Sequence, residues 1–284
     1  MMRSWITLTW TLTLSLHSLL SASAADRFPS LLLNTFFRNS LLLFHPLRTN
    51  SKTIVFACDG CHVVYATNSD IIEDYNKPRL IDYKGYNHMH LNGFVDVISK
   101  AFLDVVIQPG QQPDEREALH SMLDHFTPDD PQKYIITADR GYESYDLLFH
   151  CELKNLGYVF RVKSPSSPKS ILSYYASEFP DDLEEFDVTI KRFFTDKATN
   201  IMKSQSDVYR YINPSKNTPH FYELLRKKHS HLYFLQFRVV KIKTAENTYE
   251  YLITNLPFSF TLDDIRECYH WRWGIEISFR YLKH

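Results

Sequence analysis

The sequence predicts an α/β fold in which helices cover both faces of a sheet. Short apolar runs, typical of buried strands, alternate with amphipathic stretches, typical of helices, between residues 53 and 163. With 44% hydrophobic residues among 284, the chain can bury one sizeable core and a smaller satellite. Alternating strands and helices around one core indicate the α/β class and exclude a disordered chain.

The elements of the first part follow from hydrophobic patterning and from end signals. Pro113, followed by Asp114 and Glu115, marks the start of a helix. The predicted elements in chain order are strands at 53–57, 88–97 and 102–108, a helix at 113–125, a strand at 134–138, a helix at 144–155 and a strand at 158–163. Two of these strands are predicted to end at an aspartate, the first at Asp59 and the fourth at Asp139.

The character of the chain changes after residue 163. Ser, Pro and Lys crowd positions 164–170, and three later stretches are typical of strands: 208–212, 231–242 and 248–254. The charge also changes, since residues 191–243 include twelve basic and three acidic residues, whereas residues 104–152 include eleven acidic and three basic ones. A net charge of −1 therefore conceals an acidic part suited to a metal and a basic part suited to a phosphate backbone.

A final helix is predicted to begin at Thr261, whose hydroxyl can cap it. Four polar residues would share one of its faces: Tyr269, Arg272, Glu276 and Lys283. A carboxylate can hold a divalent metal, while a phenol, a guanidinium and an ammonium group can hold phosphate oxygens. This polar stripe thus suits chemistry on phosphate, and a solvated helix face with salt-linked charges is the plainer alternative.

The face beside the polar stripe is apolar and is expected to be buried. Its members are Ile265, Cys268, Trp271, Ile275, Phe279 and Leu282. Trp271 and Trp273 flank the stripe, and a place in the core is favoured for them over stacking on a bound ligand.

Three carboxylates form a candidate metal site: Asp59, Asp139 and Glu276. Ligands collect at the carboxyl ends of strands in open α/β sheets, so two strand-end aspartates can meet there and a packed helix can add a third carboxylate. Such a cluster would repel itself unless a divalent cation compensated the charge. For each aspartate taken alone, an ordinary turn residue at a strand end is the favoured interpretation.

Two other features of the sequence have competing interpretations. Cys58 and Cys61 form a lone C-x-x-C pattern, for which two ordinary thiols are favoured over a redox site or half of a zinc site. Residues 1–24 resemble a secretory signal peptide, with Arg3 before an apolar stretch that ends in small residues. An apolar helix or a mis-set start is the alternative, and the stretch is too short and too rich in hydroxyl groups for a membrane span.

Taken together, three patterns resemble the DDE transposases of bacterial insertion sequences, in the family with the Y-R-E-K signature (insertion-sequence type 4). They are Asp59-Gly60 after an apolar strand, the Ala-Asp-Arg-Gly-Tyr run at 138–142, and the signature Tyr269, Arg272, Glu276, Lys283. The resemblance implies a ribonuclease-H-like catalytic core. A leader and incomplete N-terminal region at 1–50 would precede it, and its first part would be 51–163. A β-rich basic insertion at 164–257 would interrupt the core, and a catalytic helix at 258–284 would complete it.

The resemblance also implies an activity and the residues that perform it. The activity is DNA nicking at element ends, followed by attack of the freed 3′-hydroxyl on target DNA, with Mg²⁺ as cofactor and Mn²⁺ as a substitute. The catalytic metal ligands would be Asp59, Asp139 and Glu276, and the residues contacting DNA phosphates would be Tyr269, Arg272 and Lys283. The partners would be transposon ends and target DNA, bound by a homodimer if the chain is complete, and no membrane.

Departures from the family pattern leave alternatives open. Similar proteins continue past the position of Lys283, so the sequence predicts a truncated copy. A catalytically inactive remnant that only binds DNA is therefore a second hypothesis. The expected location is the cytoplasm, with the nucleoid. If residues 1–24 are a true signal peptide, the protein would be exported. The third hypothesis is then an exported binding protein, in which the three carboxylates do not form a catalytic site.

Overall fold

The computed structural model describes residues 53–65, 67, 69–70, 72, 75–77, 85–180, 182–213 and 218–283. The leader at 1–50, with its signal-peptide interpretation, lies outside these residues. The chain divides into two compact units: a first unit of the described residues up to Phe126 together with those from Trp271, and a second unit, Thr127–His270. Within the described ranges, the helices are all too short or too polar to cross a membrane.

The helices and strands are numbered here in chain order. They are β1 (Ile54–Tyr65), β2 (Tyr75–Asn76), β3 (Tyr86–Asp96), β4 (Phe102–Pro109), α1 (Glu115–His125), β5 (Tyr134–Ala138), α2 (Tyr145–Leu153), β6 (Gly157–Val162), β7 (Phe186–Thr195), α3 (Asn200–Ser204), β8 (Tyr209–Tyr211), α4 (Pro219–Lys227), β9 (Leu232–Ala245), β10 (Thr248–Thr254), α5 (Leu262–His270) and α6 (Trp273–Lys283). Short 3₁₀ helices at Pro131–Lys133, Arg140–Tyr142 and Ile171–Glu178 complete the described elements.

The first unit is an antiparallel sheet that α6 covers. β3 pairs with β1 along one edge and with β2 and β4 along the other. Gly93 of β3 lies opposite Asp59 of β1, and a Cβ atom on it would lie 2.8 Å from the Phe102 ring and 3.1 Å from the Phe279 ring. Because glycine leaves this space open, Phe279 packs close to the sheet and α6 lies beside β1.

The second unit contains a mixed sheet in the order β5-β6-β10-β9-β7-β8. β5 pairs with β6 in parallel, β7 pairs with β8 in parallel, and the other pairs are antiparallel. Helix α2 starts at Ser144, whose hydroxyl accepts a hydrogen bond from the Asp146 backbone N–H at 3.2 Å. It packs on α4 through Phe149 and Phe221, whose ring centroids are 4.7 Å apart.

Most elements predicted from the sequence are confirmed. The strands and helices expected between residues 88 and 163 form as β3, β4, α1, β5, α2 and β6, and the three later strands form as β8, β9 and β10. The mixed α/β class is therefore confirmed. Strand β7 was not anticipated, although its exposed and buried residues alternate in part. The ribonuclease-H-like core and the insertion at 164–257 stay predictions.

The prediction that the first strand ends at Asp59 is wrong. β1 continues to Tyr65, so Asp59 is its sixth residue of twelve. The ladder with β3 runs without interruption from Phe56 opposite Asp96 to Tyr65 opposite Asn87. Gly60 in this pattern is a strand residue that provides space rather than a turn residue.

The prediction of one continuous final helix is also wrong. α5 ends at His270 and α6 begins at Trp273, with Trp271 and Arg272 in a turn between them. Each helix buries its apolar residues in a different unit, Ile265 of α5 in the second and Ile275 of α6 in the first. The break also overturns the core positions expected for the tryptophans, since Trp271 is 37% exposed and Trp273 is 54% exposed.

Candidate active site

Asp59 lies on β1 with its carboxylate held by two donors. Its Oδ1 accepts a hydrogen bond from the Gly60 backbone N–H at 2.9 Å, which fixes the side chain against its own strand. Its Oδ2 accepts a hydrogen bond from Nη1 of Arg272 at 3.1 Å. The strand and the α5–α6 turn, which are distant in sequence, thus meet at this carboxylate.

Arg272 places its guanidinium between two carboxylates of the first unit. Nη2 lies 3.7 Å from Oε1 of Glu276, one turn further along α6. The Arg272 side chain is only 5% exposed, whereas that of Glu276 is 46% exposed. We call Asp59, Arg272 and Glu276 the Asp59 cluster. The single positive charge of the guanidinium offsets one of the two carboxylate charges, so the cluster keeps a net negative charge.

Asp139 lies directly after β5, as predicted, and its Oδ1 accepts three hydrogen bonds. The donors are the Arg140 backbone N–H at 2.7 Å, Nη1 of Arg161 at 3.2 Å and the Tyr269 hydroxyl at 3.3 Å. The first bond caps the 3₁₀ turn that follows the strand. Backbone geometry and two side chains therefore orient this carboxylate.

Arg161 repeats in the second unit what Arg272 does in the first. It is the next-to-last residue of β6, which runs parallel to β5. Phe160 of β6 pairs with Ala138 of β5, and Arg161 and Asp139 directly follow these two residues. Its Nη2 lies 3.1 Å from Oε1 of Glu250 on β10, the other neighbour of β6. We call Asp139, Arg161, Glu250 and Tyr269 the Asp139 cluster.

The electrostatics of the Asp139 cluster keep Arg161 charged. Burial lowers the pKa of its guanidinium, but the neighbouring Tyr269, Glu250 and Asp139 groups raise it, and the net shift is upward from the ordinary arginine value. The positive charge is therefore present at every pH at which the protein is folded.

The expectation that one helix carries Tyr269, Arg272 and Glu276 as a single polar stripe is wrong, because the helix is broken between His270 and Trp273. Tyr269 and Arg272 are buried at 3% and 4% exposure, and they belong to different clusters. Glu276 is exposed on α6, as a metal ligand or a solvated residue would be. The side chain of Lys283 lies outside what the structure describes. The structure thus brings Asp59 together with Arg272 and Glu276, and Asp139 together with Tyr269.

Two residues of the clusters were missed by the sequence analysis, Arg161 and Glu250. A signal for Arg161 existed, because it lies next to the end of the strand that follows Asp139 in the α/β pattern, 22 residues later. Neighbouring parallel strands end at the same edge of a sheet. Glu250 carries no such signal, since its place depends on how the antiparallel strand β10 pairs with β6.

The donor sets of both clusters suit a divalent cation with oxygen ligands. In each cluster, two carboxylates contact one guanidinium group. The distances from a guanidinium nitrogen to a carboxylate oxygen are at most 3.7 Å in the Asp59 cluster and 3.2 Å in the Asp139 cluster. Carboxylate oxygens are the ligands that Mg²⁺ and Mn²⁺ prefer. The residues therefore fit such an ion by their chemistry and by their demand for positive charge.

The structure also shows where two other sets of candidate ligands lie, the cysteines of the C-x-x-C pattern and a pair of stacked histidines. Cys58 and Cys61 lie three residues apart on β1, so their side chains point to opposite faces of the sheet and do not converge on one ion. Among the described residues, none of the four cysteines is disulfide-bonded. His150 and His220 stack at 3.8 Å, and the buried Asp146 accepts hydrogen bonds from the His220 ring at 2.7 Å and from its backbone N–H at 3.0 Å. This set joins α2 to the start of α4.

Comparison with known proteins identifies the family. No curated protein sequence matches the chain. Among solved structures, a piggyBac transposase synaptic complex with hairpin DNA aligns with 80% of this chain and 40% of that chain, at 9% identity and a TM-score of 0.41. That similarity is too low to support an argument, and this chain spans less than half of that one. The family model for the transposase DDE domain matches residues 50–284, and the chain therefore belongs to the transposase DDE domain family.

Proposed function

We propose that the chain acts as a DNA transposase of the insertion-sequence type with the Y-R-E-K signature, with transposon ends and target DNA as its partners. DDE transposases use divalent metals for DNA cleavage and strand transfer, and the family match supports this activity here. The observation that carries the proposal is the pairing of signature residues with the two aspartates. Arg272 binds Asp59, 213 positions away, and Tyr269 binds Asp139, 130 positions away.

Three carboxylates are proposed as ligands of Mg²⁺, with Mn²⁺ as a substitute: Asp59, Asp139 and Glu276. Bound Mg²⁺ would activate an attacking hydroxyl and stabilise the leaving oxygen in phosphoryl transfer. The chain itself orients the carboxylates: the Gly60 and Arg140 backbone N–H groups hold the two aspartates, and Arg272 holds Glu276 beside Asp59. This support follows from each cluster separately and from the family pattern.

The proposed reaction has two steps that use the same chemistry. The oxygen of water first attacks phosphorus at an element end, the P–O bond to the 3′-oxygen breaks, and a 3′-hydroxyl is released. That hydroxyl then attacks a phosphate of target DNA, whose own 3′-oxygen leaves. Tyr269, Arg272 and Lys283 are proposed to contact phosphates near the reacting strand, where Arg offers a bidentate contact and Lys a point charge.

The remaining parts of the proposal concern the fold and the assembly. They are a ribonuclease-H-like core at 51–163 and 258–284, an inserted basic segment at 164–257, a homodimer on DNA, and a cytoplasmic, nucleoid-associated location. The basic residues between 191 and 243 support the role of the inserted segment, because a phosphate backbone binds clustered Lys and Arg. The same basic residues favour a second candidate function, DNA binding without catalysis, because binding through them does not require the three carboxylates.

Cleavage of a DNA duplex that bears the terminal repeats of the element tests the proposal. We expect strand nicking in Mg²⁺ or Mn²⁺ and a loss of about 100-fold or more in Asp139→Asn and in Glu276→Gln, because each removes a charged ligand. Asp263→Asn is the matched control, since this carboxylate of α5 is 84% exposed and pairs with Arg266 outside both clusters.

Each outcome of this experiment separates the candidate functions. Nicking that Asp263→Asn retains and the two ligand variants lose supports the transposase. Binding of the duplex without nicking, unchanged by metal, supports the DNA-binding function instead. Nicking that survives in both ligand variants would overturn the assigned site.

A further inference from the structure

We propose that Arg161 is a positioning residue that competes with the divalent cation for Asp139. Its guanidinium holds Asp139 in the metal-free chain and releases it when a cation binds, while Glu250 keeps the arginine in place. This inference rests on the proposed function, because it takes Asp139 as a metal ligand. Neither the Y-R-E-K signature nor the aspartate motifs include Arg161 or Glu250.

The first argument is the crowding of one oxygen. Oδ1 of Asp139 accepts hydrogen bonds from the Arg140 backbone, Arg161 and Tyr269, at 2.7, 3.2 and 3.3 Å. A carboxylate oxygen has two lone pairs directed in its plane, so a cation that coordinates Oδ1, as in bidentate binding of the carboxylate, competes with these donors for it. Binding of a cation at this oxygen therefore requires one donor to leave. The 3₁₀ turn fixes the backbone donor, so the donor that leaves has to be one of the two side chains.

The second argument identifies which side chain leaves. A divalent cation bound at Asp139 repels the positive charge of Arg161, whereas the neutral Tyr269 hydroxyl experiences no such repulsion. Arg161 is 27% exposed, so its guanidinium has room to move, whereas Tyr269 is buried at 3% exposure. Arg161 keeps its charge in this process, because a guanidinium stays protonated at any pH at which proteins are folded.

The third argument is that Arg161 has a second partner. Nη2 lies 3.1 Å from Glu250, whose side chain is 18% exposed, and this contact uses a different nitrogen from the one that meets Asp139. Arg161 and Glu250 lie on neighbouring strands, β6 and β10, so their backbones keep them within reach. A side chain anchored at Glu250 can therefore release Asp139 at a lower cost than one that has to become fully solvated.

Mn²⁺ binding to the purified chain, measured by electron paramagnetic resonance, tests the competition without relying on catalysis. We expect Arg161→Gln to bind Mn²⁺ about twofold to fivefold more tightly than the wild type, the range for removing a partly exposed ion pair. Glu250→Gln should bind it more weakly, because Arg161 then stays on Asp139. The double variant should bind like Arg161→Gln alone, because Glu250 acts through the arginine.

Arg266→Gln is the matched control for the loss of a bridging arginine. Arg266 also joins two carboxylates of the second unit, Glu185 and Asp263, and its side chain is 35% exposed, but it belongs to neither cluster. Its substitution should leave Mn²⁺ affinity unchanged. Circular dichroism of each variant establishes that it is folded at the temperature of the measurement.

The outcomes distinguish a failure of this inference from a failure of the proposed function. Asp139→Asn should abolish or strongly weaken Mn²⁺ binding, and unchanged binding in this variant would overturn the proposed function. If Asp139→Asn weakens binding but Arg161→Gln leaves it unchanged or weakens it too, only the competition is overturned. An equal gain in Arg266→Gln would also overturn it, because the effect would then be general electrostatics.

Discussion

The Asp59 cluster and the Asp139 cluster each place one arginine between two carboxylates, but they differ in how deeply that arginine is buried. Arg272 is 5% exposed and Arg161 is 27% exposed. Both carboxylates next to Arg272 are proposed metal ligands, whereas only one of the two next to Arg161 is. The comparison teaches that similar charge pairing serves two purposes. The buried Arg272 is enclosed with the carboxylates that it joins, and the half-buried Arg161 is an exchangeable counterion.

The aspartates themselves are held in the same way in both clusters. Each accepts a hydrogen bond from the backbone N–H of the following residue, Gly60 at 2.9 Å and Arg140 at 2.7 Å. The backbone therefore sets the direction of each carboxylate, and the arginine sets its charge balance. Substitutions of the arginines and of the following residues probe these two contributions separately.

The largest expected effect separates the two arginines by stability. Arg272→Gln should lower the free energy of unfolding by about 2–3 kcal/mol, because it leaves Asp59 and Glu276 without the charge that a buried guanidinium supplied. Arg161→Gln should cost about 0.5–1 kcal/mol, because the Arg161 side chain is 27% exposed and water screens its ion pairs more than those of Arg272. Urea denaturation followed by circular dichroism measures both.

The conservative variants sharpen this test. Arg272→Lys keeps a positive charge but cannot reach both carboxylates with a planar fork, so its stability should lie between those of wild type and Arg272→Gln. Equal losses for the two Arg→Gln variants would contradict the distinction between a buried arginine and an exchangeable one.

The next effect concerns the residues that follow the aspartates. Gly60→Ala should cost about 1–2 kcal/mol, because the new Cβ would lie 2.3 Å from Nε2 of the buried His90 and 2.8 Å from Oε1 of Glu115. Arg140→Ala should change stability by less than about 0.5 kcal/mol, since Arg140 is exposed and the backbone donor remains. The same denaturation measurement compares them, and a neutral Gly60→Ala would show that His90 moves aside.

Features of the fold and the site that depend on residues close in sequence could be predicted, whereas features that depend on residues distant in sequence could not. Asp139 was placed correctly because an apolar run and its end are local signals, and Thr261 was correctly assigned as a cap, since its hydroxyl accepts from the Asp264 backbone N–H at 3.2 Å. The continuation of β1 past Asp59 depends on its ladder with β3, and so it has no local signal. The break at Trp271 and Arg272 depends on burial in two different units, which periodicity within one helix does not reveal.

The smallest expected effect tests the one group that only the Asp139 cluster contains, a phenol. Tyr269→Phe removes a hydroxyl that donates to Asp139 at 3.3 Å, and should lower the free energy of unfolding by about 0.5–1 kcal/mol. The two other donors to that oxygen remain, which is why the loss is modest.

Tyr158→Phe is the control for this last prediction. Within the described part of the chain, the buried Tyr158 hydroxyl has no hydrogen-bond partner, so its removal should be neutral or stabilising. If Tyr158→Phe lowered the free energy of unfolding as much as Tyr269→Phe, the hydrogen bond from the Tyr269 hydroxyl to Asp139 would not account for the loss in Tyr269→Phe. A loss confined to Tyr269→Phe would place this hydroxyl among the groups that hold Asp139, together with the Arg140 backbone, and would leave Arg161 as the one donor whose departure a cation favours.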